Sequence, residues 1–226
     1  RAAFDQLFGV GGSPAERAGI IAGDRILTLV GAGVVGPEDV VRLVAARAPG
    51  SRIPLVIRRG DARRLLSAEL GAAPDASGVM RLSFVGAAAP RLDSLETVQG
   101  SVEPDLAALR GRVVVLEFWA AWCSVCRFLV PTLNELHARY SAQGVVVLGI
   151  TMDAVVPATH AVTALGIEYP IASDHSGKTA SAYQANALPT IFVIDPKGVV
   201  RDVLVGYSPD GLLRIERLVR DLTAAR

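Results

Sequence analysis

The chain holds two cysteines, at 123 and 126, both within Glu117-Phe118-Trp119-Ala120-Ala121-Trp122-Cys123-Ser124-Val125-Cys126. The run before them, Val113-Val114-Val115-Leu116-Glu117-Phe118, is β-branched and apolar, the pattern of a strand buried in a parallel sheet. From Cys126 onward, Phe128, Leu129, Leu133, Leu136 and Tyr140 recur at helical spacing. A strand that turns into a helix with Cys-x-x-Cys at the joint restricts the chain to an α/β arrangement. Cys123 is expected at the helix N-terminus, where unpaired N–H groups and the helix dipole favour a thiolate. Cys126, one turn on, falls on the same face and within disulfide reach. Two other readings stay open on the motif alone. Half a zinc site needs two more ligands, and only His137, His160 and His175 remain, none in a paired knuckle. A purely structural disulfide closing so short a loop removes little chain entropy. The spacing favours a redox dithiol over both.

Phe118-Trp119-Ala120-x-Trp122-Cys123-x-x-Cys126 resembles the active-site signature of thioredoxin-like proteins, with Arg127 and Pro131 where that family has a basic residue and a helix-kinking proline. Ala187-Leu188-Pro189-Thr190-Ile191-Phe192-Val193-Ile194-Asp195 resembles the family's cis-proline strand, and Pro196-Lys197-Gly198 the hairpin after it. Ala89-Pro90-x-Leu92, Asp105-Leu106-x-x-Leu109-Arg110-Gly111 and Tyr169-Pro170-Ile171-x-x-Asp174 are similar to hallmarks of the TlpA/ResA-like group of extracytoplasmic thiol–disulfide oxidoreductases. The resemblance covers about residues 82–226. It implies a thioredoxin fold, a central mixed sheet with flanking helices, and a periplasmic or otherwise extracytoplasmic location.

Residues 1–72 carry a different pattern. Ser13-Pro14-Ala15-Glu16 is a capping box with proline at the first helical position. Gly23-Asp24 turns into a strand at 25–30, Gly36-Pro37 opens a second helix, and strands at 52–58 and 65–70 flank the turn Arg59-Gly60-Asp61. Gly12-Ser13-Pro14-Ala15-x-x-Ala18-Gly19-Ile20-x-x-Gly23-Asp24-x-Ile26 resembles the PDZ domain of HtrA-type proteases. That family's first strand and carboxylate-binding loop should precede Gly12. The residues there do not read as such a loop, so a small β-rich PDZ-like domain without its peptide anchor is expected. Gly71-Ala72-Ala73-Pro74-Asp75-Ala76-Ser77-Gly78 is small, Pro/Gly-bearing and aperiodic. It sets the expected boundaries: a PDZ-like domain at 1–72, a linker at 73–81, and the thioredoxin-like domain at 82–226.

The net charge of +1 points to no nucleic acid, and no apolar run approaches the ~20 residues of a membrane span. Lysine occurs only at 178 and 197, arginine supplying the other basic residues, which reads as codon bias rather than chemistry. The chain begins at Arg1 without a signal-peptide pattern, so any export signal or membrane anchor is expected upstream.

The expected roles follow. Cys123 attacks a disulfide as the thiolate, and Cys126 resolves the mixed disulfide, the resemblance implying that Cys126 is the more buried. Glu117, a carboxylate in an apolar strand, is expected to be buried, raised in pKa and able to shuttle a proton for Cys126. The lysine that often accompanies it is missing, the aligned position being Gly149 or a neighbour. The resemblance makes Pro189 the cis-proline facing Cys123, with Leu188 offering backbone to an extended substrate and Trp122 lining the rim. Trp119 reads as core, and the three histidines as incidental.

The expected activity is a cofactor-free and metal-free thiol–disulfide oxidoreductase that reduces protein disulfides and is recharged by a thiol electron donor. Ser124-Val125 carries no histidine to stabilise the thiolate. That places it nearer thioredoxin, at about −270 mV, than a strong oxidant at about −120 mV. Ala120, three before Cys123, stands where a peroxidase employs threonine. The alternative is a PDZ-bearing adaptor, or the tail of an HtrA-like protease, with the thioredoxin-like half as scaffold.

Overall fold

The computed structural model describes residues 13–21, 23–72, 74–100 and 105–225. The chain divides into two compact units, Arg1–Asp75 and Ala76–Arg226.

In the first unit, the Ser13 hydroxyl accepts from the Glu16 N–H at 3.1 Å and starts helix α1 (Pro14–Arg17). Four antiparallel strands follow the order β2-β1-β3-β4: β1 is Arg25–Leu29, β2 Ala32–Gly33, β3 Arg52–Arg59 and β4 Ala62–Glu69. On β3, Ile53, Leu55 and Ile57 alternate inward, as the period of a half-buried strand requires. They close a core with Ile26, Leu29 and Val40, the last from helix α2 (Pro37–Ala45). Arg59 clamps the Asp24 carboxylate through two bonds, of 2.8 and 2.7 Å, tying the end of β3 to the Gly23-Asp24 turn. The missing first strand and carboxylate-binding loop concern residues 1–12, which lie outside the described residues.

The second unit holds a six-stranded mixed sheet in the order β10-β9-β6-β7-β8-β5. Its centre is the parallel pair β6 (Val113–Trp119) and β7 (Val145–Thr151), in register from Val113↔Val145 to Trp119↔Thr151. Every residue of both strands is buried, which is why they read as unbroken apolar runs. Strand β8 (Ile171–Ser173) continues in parallel, while β9 (Thr190–Ile194), β10 (Val200–Val205) and β5 (Glu96–Gln99) run antiparallel to their neighbours. Alternation of side chains splits the core into two layers. Val113, Val115 and Trp119 lie in one, with α4 (Val130–Tyr140), α5 (Val155–Leu165) and α7 (Pro209–Ala224) over it. Val114, Leu116 and Phe118 lie in the other, with α3 (Ala76–Phe84) and the short α6 (Lys178–Ala182).

Helix α3 departs from the expected 73–81 linker. Residues 76–84 are helical and belong to the second unit, whose start therefore lies at Ala76 rather than 82. The reason is tertiary. Ser77 accepts from the Val205 N–H of β10 at 2.9 Å, and Phe84 is buried against Tyr183 and Phe192. None of these three partners is visible from local composition.

Candidate active site

Strand β6 ends at Trp119, and the chain turns through 120–125 into a 3₁₀ turn, Cys126–Phe128, before α4 begins at Val130. The sequence suggests a helix from Cys126 itself, but Pro131 has no N–H to give to the Arg127 carbonyl. The preceding residues therefore tighten into 3₁₀ form. Pro131 then sits in the first turn of α4, where that missing donor costs nothing, so it starts the helix rather than kinking it. The turn is held from β7: Asp153 accepts from the Ala121 N–H at 2.6 Å and from the Thr151 hydroxyl at 2.8 Å.

Cys123 and Cys126 form a disulfide with an S–S distance of 2.03 Å. The Cys126 N–H points at the Cys123 sulfur, 3.2 Å away, so in the reduced protein one oriented donor favours a thiolate there. Cys123 is 7% exposed and Cys126 2%. The Leu188–Pro189 peptide bond is cis. The Pro189 carbonyl accepts from the Gly206 N–H at 2.7 Å, and half-buried Leu188 packs against the cluster containing both cysteines. Trp122 is 73% exposed and Trp119 is buried. Val125, Phe128 and Tyr207 are exposed as well, with the Phe128 and Tyr207 rings 5.5 Å apart. Apolar side chains thus rim a nearly buried disulfide, which suits contact with an extended segment of another protein.

Glu117 is buried, with its side chain on the Val115 and Trp119 face of β6. That face carries the apolar cluster to which both cysteines belong. The Tyr169 hydroxyl donates to Glu117 Oε2 at 2.7 Å. Burial pushes the Glu117 carboxyl up to about 7, with the tyrosine hydrogen bond pulling the other way. Burial, reinforced by the carboxylate, holds the Tyr169 phenol well above its ordinary value, so it stays a neutral donor. Gly149 is the residue opposite Glu117 on β7.

His137 lies on α4, His160 on α5 and His175 in the turn before α6. Among the described residues no three His, Cys, Asp or Glu side chains gather as a metal site. Two other hallmark segments have structural work: Asp174 accepts from the Ala180 N–H of α6 at 2.7 Å, and Gly111 donates to the Pro196 carbonyl at 2.9 Å. Sequence reasoning missed Asp153, the Phe128–Tyr207 pair, and any role for Tyr169 beyond its place in a motif. Only the Tyr-Pro dipeptide signalled the last.

Residues 85–203 match the model of the AhpC/TSA family, and residues 9–59 that of the PDZ domain. The thiol-disulfide oxidoreductase ResA of Geobacillus kaustophilus is 33% identical over 123 residues, which are 54% of this chain and 70% of that protein. ResA of Bacillus subtilis is 29% identical over 110 residues, 48% of this chain and 62% of that one. A crystal structure from Chlorobium tepidum, described as a thiol:disulfide interchange protein DsbE, superposes with a TM-score of 0.56 at 31% identity. It covers 62% of this chain and 97% of its own.

Proposed function

The chain belongs to the AhpC/TSA family, among thiol–disulfide oxidoreductases of the ResA kind, and on that premise we propose that it reduces disulfides of other proteins in an extracytoplasmic compartment. The observation that carries this reading is the Cys123–Cys126 pair, with a backbone N–H on the Cys123 sulfur and an apolar rim around it. In the reduced protein the Cys123 thiolate attacks one sulfur of a partner disulfide. A mixed disulfide forms, and the partner's other sulfur leaves as a thiolate. Cys126 gives its proton to the Glu117 carboxylate and attacks Cys123 Sγ. The partner sulfur that was joined to Cys123 leaves and takes up a proton, and the Cys123–Cys126 bond remains. Two electrons from a thiol donor restore the dithiol.

Cis-Pro189 and Leu188 would offer backbone to the substrate segment, and Trp122 would line its path. Ser124-Val125 supports the reducing direction, since it brings no histidine to stabilise the Cys123 thiolate. Ala120 leaves the position three before Cys123 without a hydroxyl, which disfavours peroxide chemistry. Insulin reduction in the presence of dithiothreitol tests the reading. Wild type should accelerate it, and Cys123→Ser and Cys126→Ser should both fall to background. A wild-type rate equal to dithiothreitol alone, or undiminished turnover in either variant, would overturn it.

A further inference from the structure

Among the described residues, no cation acts on Glu117. Burial and the Tyr169 hydrogen bond are the influences on its proton affinity. The helices and strands over this side of the sheet turn apolar side chains inward: Leu133 and Leu136 from α4, Val162 from α5, Ile191 from β9, and Ile215 and Val219 from α7. His137, one turn past Leu133 on α4, is not among those influences. Among the described residues, Tyr169 is therefore the group with a proton to exchange that touches Glu117, and the proposed reaction adds the Cys126 thiol after reduction.

Strand β7 explains why no longer side chain takes the cation's place. A Cβ on Gly149 would clash with Ile171 Cδ1 and would meet Trp119 Nε1 at 3.1 Å and Tyr169 Cε2 at 3.2 Å. The Tyr169 and Trp119 rings occupy the space beside Glu117 that a lysine at 149 would need. The Trp119 Nε1–H, buried without a hydrogen-bond partner among the described residues, opens onto the same spot.

We propose that Tyr169 is a positioning residue for the proton transfer: its hydroxyl replaces a cationic partner, fixes one oxygen of the Glu117 carboxyl, and favours the form that accepts the Cys126 proton. The proposal rests on the reading of Glu117 as that acceptor. Tyr169 itself neither gains nor loses a proton. The Cys126 thiol becomes a thiolate, Glu117 becomes the neutral acid, and the phenol keeps its hydrogen throughout. A charged partner would hold Glu117 ionised well below neutrality, whereas a neutral donor leaves it able to take a proton and release it again.

The rate of mixed-disulfide resolution, followed from pH 5 to 9 in the intact chain, tests this. The wild-type rate should rise with pH about a midpoint near 7. Tyr169→Phe removes a bond to the ionised form, so the midpoint should move alkaline by about one pH unit, lowering the rate at pH 7 roughly fivefold while the high-pH plateau survives. Site-specific 3-fluorotyrosine at 169, a more acidic and stronger donor of nearly the same size, should move it the other way. If Tyr169→Phe does not fold, the fluorinated protein and a carboxyl ¹³C titration of Glu117 give the same answer. A midpoint unmoved by the change at 169, with the pH limb lost in Glu117→Gln, would overturn the role of Tyr169 and leave that of Glu117 standing. A limb that persists in Glu117→Gln would overturn both.

Discussion

Glu117 shows how far single residues speak from sequence. A carboxylate inside Val-Val-Val-Leu-Glu-Phe-Trp breaks an apolar pattern, so its burial is legible from the string alone. Its partner is not, because Tyr169 lies 52 residues away and the pairing exists only once β7, with Gly149 opposite Glu117, is seated between β6 and β8. Burial also ties Glu117 to stability. The folded carboxyl titrates near 7 against an ordinary 4.5, so between those values the folded protein binds the proton more tightly than the unfolded chain. This contribution is fully present below about pH 4.5 and is lost as pH rises through 7. Relative to Glu117→Gln, wild type should lose about 3 kcal/mol of unfolding free energy between pH 4.5 and 8. Urea titrations of both proteins across that range check the slope, and parallel curves would contradict it.

At the scale of elements, the central strands announce themselves as unbroken apolar runs and the last helix by its helical period, whereas the β8–β5 margin of the sheet does not. Strands β5 and β8 are short, of four and three residues, and carry too few positions to show a pattern. Helix α3 begins in a Gly/Pro-bearing stretch whose local signals favour a linker. What fixes it is Ser77, whose hydroxyl accepts from the N–H of Val205 on the outer strand β10. Replacing that oxygen leaves a partly buried backbone donor unpaired, so Ser77→Ala should destabilise the second unit by about 1–2 kcal/mol. The same change should leave insulin reduction at 25 °C near the wild-type rate, since α3 packs on the layer opposite Glu117 and the cysteines. Thermal unfolding by circular dichroism gives the first quantity and the dithiothreitol assay the second.

Over the whole molecule, two units with separate cores follow one another along the chain, and every residue given a chemical role lies in the second. A fragment of residues 74–226 is of a size that can bury a core of its own, and it should reduce insulin at the rate of the full chain. A fragment starting at 82 loses most of α3 and with it Ser77 and Met80, so it should unfold at a lower temperature or accumulate as aggregate. Both outcomes are read from expression, melting temperature and turnover of the two fragments side by side. The central claim is that Cys123 attacks and Cys126 resolves, and trapping in the intact chain tests it most directly. With a disulfide-bearing substrate, Cys126→Ser should accumulate a mixed disulfide through Cys123, seen as a thiol-sensitive adduct by mass spectrometry, and Cys123→Ser should not. Equal trapping by both variants, or trapping by Cys123→Ser alone, would contradict it.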